Sequence, residues 1–168
     1  KVRKILNKKK KKKILLIANF ELIKAQLKKL KSKINLIKLK SFDENEKTNH
    51  LRIIDIPLKF KNSYDVSLNN SSKYVIESLN LAHKLALDKK RIQGIINCPI
   101  KKELIKKTNK VGVTEFFASK NKINSEIMLL YNKDFSVVPL TTHIDLKKVS
   151  KKINSIFICK KIESLNRS

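Results

Sequence analysis

Three short clusters carry the residue types that could do chemistry: Asn97-Cys98-Pro99-Ile100-Lys101-Lys102, Gly112-Val113-Thr114-Glu115, and Thr141-Thr142-His143. An imidazole such as His143, placed after the apolar run Val138-Pro139-Leu140, can give a lone pair to a metal, act as a general base, or stay a hydrogen-bonded core group. Thr114 offers a hydroxyl that donates or accepts, and it could equally cap a helix, whose N-terminus favours anions. Glu115 would enter the first turn of that helix, where the dipole alone favours a carboxylate. Lys102 could meet a phosphate or carboxylate, or be one more solvated surface charge. Met three times in about fifty residues, polar clusters beside apolar runs read as loops gathered at one rim of a sheet, where α/β enzymes keep their sites.

The elements that must hold those loops begin with Ile14-Leu15-Leu16-Ile17-Ala18, whose length and branching suit a buried strand. Asn19 then caps a helix with an apolar stripe of Ile23, Leu27 and Leu30, and Lys31 to Lys33 end it before a second strand at Ile34 to Leu39. Residues 41–68 are polar and irregular, broken by Asp43-Glu44-Asn45-Glu46, and contain one strand-like piece, Leu51 to Ile56, that stops at Pro57; a loop or peripheral hairpin is expected there. Asn69 to Ser72 supply caps for a long helix burying Val75, Leu79, Ala82 and Ala86, and Gly94-Ile95-Ile96 is the next expected buried strand. After Pro99 the pattern predicts a short helix with Leu104 and Ile105, and another from Thr114 with Phe116 and Phe117 turned inward. Glu126 to Tyr131 and Phe135 to Leu140 read as strands joined by Asn132-Lys133-Asp134. A last helix, capped near Thr142 or Asp145, would bury Leu146, Val149 and Ile153.

The 168 residues suffice for one domain and its core, and 41% hydrophobic residues argue against disorder. The formal charge of +26 needs its own account. Arginine occurs only at Arg3, Arg52, Arg91 and Arg167, aromatic residues are 6%, and tryptophan is absent, whereas nucleic-acid readers lean on arginine and aromatic stacking. Lysine with abundant isoleucine and asparagine fits the coding bias of an AT-rich genome better. Cys98 and Cys159 have no metal-ligand spacing, which suits a reducing cytoplasm, and no apolar run reaches transmembrane length. Glycine-rich phosphate loops and the common hydrolase and metalloprotease motifs are missing.

In order and spacing the clusters resemble the 4-hydroxythreonine-4-phosphate dehydrogenase family of vitamin B6 biosynthesis. That family shows T-G-P-x-x-K, then G-H-T-E, then T-T-H-x-x-L, and Ala18-Asn19-Phe20-Glu21-Leu22 stands in place of its G-D-P-x-L-L. The resemblance implies an α/β fold, three-layer α/β/α, part of an isocitrate/isopropylmalate-dehydrogenase-like two-domain architecture. It implies that His143 binds a divalent cation (Zn, Mg or Co) as a Lewis acid, and that Thr114 and Lys102 bind substrate. NAD would be the hydride acceptor, and no catalytic residue or NAD contact is assigned to a position in this sequence. Val113 departs from the pattern, standing where the family has a substrate-contacting histidine. Cys98 departs too, where the family prefers glycine.

The activity implied is NAD- and metal-dependent oxidation of 4-phosphohydroxy-L-threonine, with decarboxylation to 3-amino-2-oxopropyl phosphate, in a cytoplasmic homodimer that shares its site across the interface. The family's G-D-P-A-G-I-G, N-P-H-A-G-E and Y-H-D-Q-G segments are not in this sequence, so the expectation is a fragment or truncated member. Its 1–168 stretch is read as one partial dehydrogenase region: a β-α-β start over 1–40, an irregular segment over 41–68, and an α/β region over 69–168. The alternative reading is a non-catalytic basic remnant that binds RNA or acidic partners through the Lys8 to Lys13 run.

Overall fold

The computed structural model describes residues 14–39, 50–122 and 126–167; the Lys8 to Lys13 run and the Asp43-Glu44-Asn45-Glu46 segment lie outside the described residues. The chain divides into two compact units, Lys1–Ile105 and Lys106–Ser168.

The first unit is built on a parallel sheet of β1 (Leu15–Ala18), β2 (Leu36–Leu39) and β3 (Leu51–Asp55) in the order β1-β3-β2. Leu16 and Lys38 both register with Ile53. Leu51 to Asp55 is therefore the central strand of the sheet and not a peripheral hairpin. Its burial explains the placement: Leu51, Arg52 and Ile53 are buried in succession, with Ile53 at 0% exposure, as in a strand covered on both faces.

Between β1 and β2 runs α1 (Phe20–Lys29), with Asn19 as its N-cap as expected. Its buried residue is Leu22; Ile23 and Leu27 are half-buried, and Leu30 is 68% exposed. The expected stripe fails at Leu30 because the helix ends one residue earlier and Lys31 turns into the left-handed region at φ 49°. The long helix α2 (Leu68–Ala86) starts after Ser67, slightly ahead of the expected caps, and buries Leu79 with Val75, Ala82 and Ala86 half-buried. The buried Ser72 hydroxyl donates to the Leu104 carbonyl at 2.7 Å, which pins the 3-10 segment Lys102–Thr108 and seats Ile105 at 2% exposure. Gly94-Ile95-Ile96 is not a buried strand. No ladder partner exists for it among the described residues, and Ile96 is 93% exposed. An apolar run becomes a strand only where a neighbour satisfies its backbone.

In the second unit α3 (Val113–Lys120) buries Phe116 and half-buries Phe117, their rings edge to face at 5.5 Å. The expected pair of strands is reduced to a two-residue antiparallel ladder, β4 (Leu130–Tyr131) with β5 (Ser136–Val137), closed by a bond from the Asn132 amide to the Phe135 carbonyl. Helix α4 (Leu146–Lys152) is capped by the Asp145 side chain, which accepts from the Lys147 amide at 3.1 Å. Its expected apolar seam is mostly open: Val149 is half-buried, Leu146 is 84% exposed, and Ile153 lies at the C-cap. Helix α5 (Ser155–Asn166) follows, capped by Asn154, and Lys161 Nζ donates to the Glu126 carbonyl at 2.6 Å. No described helix is long and apolar enough to cross a membrane.

Candidate active site

At the C-terminal ends of β1 and β3 the first unit gathers Asn19, Asp55 and Tyr74. The Asn19 carboxamide oxygen accepts from the Leu22 amide at 2.9 Å, and its Nδ2 donates to the Ile56 carbonyl at 2.9 Å. Its backbone N–H donates to the Tyr74 hydroxyl at 3.1 Å. Asp55 accepts from the Phe20 amide at 2.7 Å and from Lys38 Nζ at 2.7 Å. The N-terminus of α1, a natural anion seat, is thus filled by the chain's own carboxamide and carboxylate. Burial pushes the Asp55 carboxyl up, but the Lys38 hydrogen bond, the Phe20 N–H and the Lys38 charge outweigh it and hold the group below the usual aspartate value. Burial also pushes the Tyr74 phenol up, against the Asn19 N–H and Ser78, with Asp55 and Cys98 adding to the rise.

Lys102 opens the 3-10 segment with its side chain exposed. A groove of about 670 Å³ in this unit is lined by Phe20, Lys24, Leu27, Lys28, Ile34 and His50 among others, and none of its lining residues belongs to the three clusters.

The second unit brings two of the clusters together. Gly112, in extended conformation at φ −158°, is the N-cap of α3, and no side chain caps that end. Thr114 therefore lies inside the first turn, exposed, and is not the cap. Val113 opens the helix half-buried. Glu115, one position on, turns its carboxylate back over Gly112: a Cβ added there would meet Oε2 at 2.9 Å. The other oxygen, Oε1, stands 3.8 Å from His143 Nε2, with 25% and 47% of the two side chains exposed. His143 holds left-handed backbone at φ 55°, two residues before the cap of α4.

The sequence marks Glu115 only as a dipole-favoured carboxylate and does not single out Asp55 or Tyr74. The signal for Glu115 was its place inside a motif. For Asp55 it was a lone carboxylate at the end of an apolar run, a position that a strand end at the rim would give it.

The family model described as pyridoxal phosphate biosynthetic protein PdxA matches residues 10–168. The chain belongs to the PdxA family. Among curated relatives it is 32% identical over 120 residues to the 4-hydroxythreonine-4-phosphate dehydrogenase of Colwellia psychrerythraea, covering 66% of this chain and 34% of that enzyme. With the enzyme of the same name from Wigglesworthia glossinidia brevipalpis it shares 31% over 114 residues, 67% of this chain and 34% of the relative. The chain thus spans about a third of the length of these relatives. The crystal structure of 4-hydroxythreonine-4-phosphate dehydrogenase from Klebsiella pneumoniae superposes with a TM-score of 0.76 over 91% of this chain and 48% of its own, at 20% identity. That from Burkholderia phymatum gives 0.72 over 89% and 46%, also at 20%. These likenesses bear out the α/β fold class expected from the sequence, that of a PdxA-family three-layer α/β/α protein.

An imidazole and a carboxylate facing each other are donors that suit a divalent cation. His143 fits one position of such a site, with Glu115 beside its ring, and among the described residues no group of three histidine, cysteine, aspartate or glutamate side chains gathers around a cation position.

Proposed function

We propose that this chain supplies part of the site of a 4-hydroxythreonine-4-phosphate dehydrogenase. The reaction would be NAD-dependent oxidation of 4-phosphohydroxy-L-threonine, with loss of carbon dioxide to give 3-amino-2-oxopropyl phosphate, in the making of pyridoxal 5'-phosphate. The observation that carries this reading is the convergence of the G-V-T-E and T-T-H clusters on one contact, His143 to Glu115, in a chain that matches the PdxA family over residues 10–168.

In this reading His143 is one ligand of a divalent cation (Zn, Mg or Co), and the cation, when bound, supplies Lewis-acid stabilisation of a substrate alkoxide. Thr114, exposed beside Glu115 on the first turn of α3, would offer its hydroxyl to a polar group of the substrate. Lys102 would meet its phosphate or carboxylate as a point charge. Val113 can neither hydrogen-bond nor titrate, so whatever the family's histidine contributes at that position, other residues must provide. NAD rests on the family relationship alone, and no residue described here is assigned to it. The cytoplasmic setting, the homodimer with a shared site, and the reading of residues 1–168 as one partial dehydrogenase region belong to the same proposal. Membership of the PdxA family does not favour the basic RNA-binding alternative.

The test is to express the open reading frame that contains these residues and assay the product with 4-phosphohydroxy-L-threonine, NAD and a divalent cation. NADH formation that needs the cation and is lost in His143→Ala is expected. A folded product that forms no metal-dependent NADH would sink the assignment.

A further inference from the structure

We propose that Glu115 is a positioning residue for His143, holding the imidazole proton on Nε2 and so leaving the lone pair on Nδ1, and that glycine at position 112 lets that carboxylate lie over the helix start. The 3.8 Å between Nε2 and Oε1 is long for a hydrogen bond but close enough for a carboxylate to bias the ring. A lone pair on Nε2 would face negative charge, whereas an N–H there faces an acceptor. The neutral ring therefore favours the tautomer with its proton towards Glu115, by the logic through which outer carboxylates fix ligand histidines.

The glycine bears on where that carboxylate lies. Gly112 at φ −158° has a backbone that any residue adopts, so no conformational freedom calls for glycine here. A Cβ there would lie 2.9 Å from Glu115 Oε2, the far end of a flexible side chain, so an alanine would move the carboxylate and not the backbone. A third feature points the same way. His143 adopts left-handed backbone at φ 55°, a conformation that residues with a Cβ take uncommonly. Its ring stands opposite Glu115 on the first turn of α3, and the contact couples the loop that carries His143 to the helix that carries Thr114.

That Nδ1 serves a cation rests on the dehydrogenase reading; the pairing of Glu115 with His143 does not. The experiment is therefore run without metal or substrate. Long-range proton–nitrogen spectra of the His143 ring are recorded on the 168-residue chain near pH 8, where an ordinary imidazole is neutral. The wild-type ring should carry its proton on Nε2 alone. In Glu115→Ala the tautomer ratio should relax to that of free histidine, and Glu115→Gln, whose amide oxygen still accepts, should restore it. Gly112→Ala keeps the carboxylate but displaces it, and should shift the ratio part of the way. Backbone amide spectra report whether each variant folds, so Gly112→Ala stands in if Glu115→Ala does not. A wild-type ring protonated on Nδ1, or a ratio unmoved in a folded Glu115→Ala, would overturn the proposal. Either result leaves the dehydrogenase reading standing, just as a failed NADH assay would leave the pairing standing.

Discussion

Asp55, the last residue of the central strand, accepts a hydrogen bond from the backbone amide of Phe20, the first residue of α1, at 2.7 Å. The side chain of the strand most buried in the sheet thus anchors the start of the helix that crosses it. Asp55 also accepts from Lys38 on β2, so one carboxylate joins β2, β3 and α1.

This arrangement gives the first unit an acid-sensitive joint. The folded-state carboxyl is held below its ordinary value, so the stabilisation is fully present above the unfolded-state value of about 4 and is lost as pH falls through the folded value. Urea melts should show stability dropping as pH is lowered below about 4, with a smaller drop in Asp55→Asn. Identical acid dependence in the two proteins would show that Asp55 is not the joint.

Asn19 does two jobs with one side chain, and its substitutions separate them. Asn19→Ala removes both the cap to the Leu22 amide and the buried bond to the Ile56 carbonyl, and should cost about 2 kcal/mol. Asn19→Asp keeps an acceptor for the cap and lacks the donor to Ile56. In chemical denaturation it should fall between wild type and Asn19→Ala.

At His143 the backbone and the side chain can be varied independently. Its φ of 55° favours glycine, so His143→Gly should be more stable than His143→Ala by about 1 kcal/mol although both lose the imidazole. Thermal unfolding of the pair measures the difference. Equal melting temperatures would mean that the backbone there is relaxed.

Two apolar residues that look alike in sequence should respond very differently. Ile53→Ala opens a cavity in the centre of the sheet and should cost about 2–5 kcal/mol. Leu146→Ala, on a residue 84% exposed, should stay within about 0.5 kcal/mol. Urea titrations of both variants check the contrast.

That contrast marks what could be read from the chain before its structure was known. Asn19, the end of β1 and the body of α2 were legible because caps and periodicity are local properties. The three clusters were legible as motifs, and the family followed from their order. Leu51 to Ile56 was read as peripheral because its flanks are polar, although strand order is set by pairing partners that no local window contains. Leu146, Ile153 and Ile96 were expected inside because they are apolar and suitably spaced, yet burial needs a facing surface, and spacing says nothing of that. Glu115 was visible as a residue and invisible as a relationship, since its partner His143 lies in another motif.

The sheet order β1-β3-β2 also has a consequence in time. β1 and β2, both made before β3, do not bond to each other; each waits for Leu51 to Asp55, which inserts between them. Among the described residues, neither ladder of this sheet can close until that stretch has emerged. Both ladders of the described sheet thus depend on one later-made strand, whose insertion orders all three.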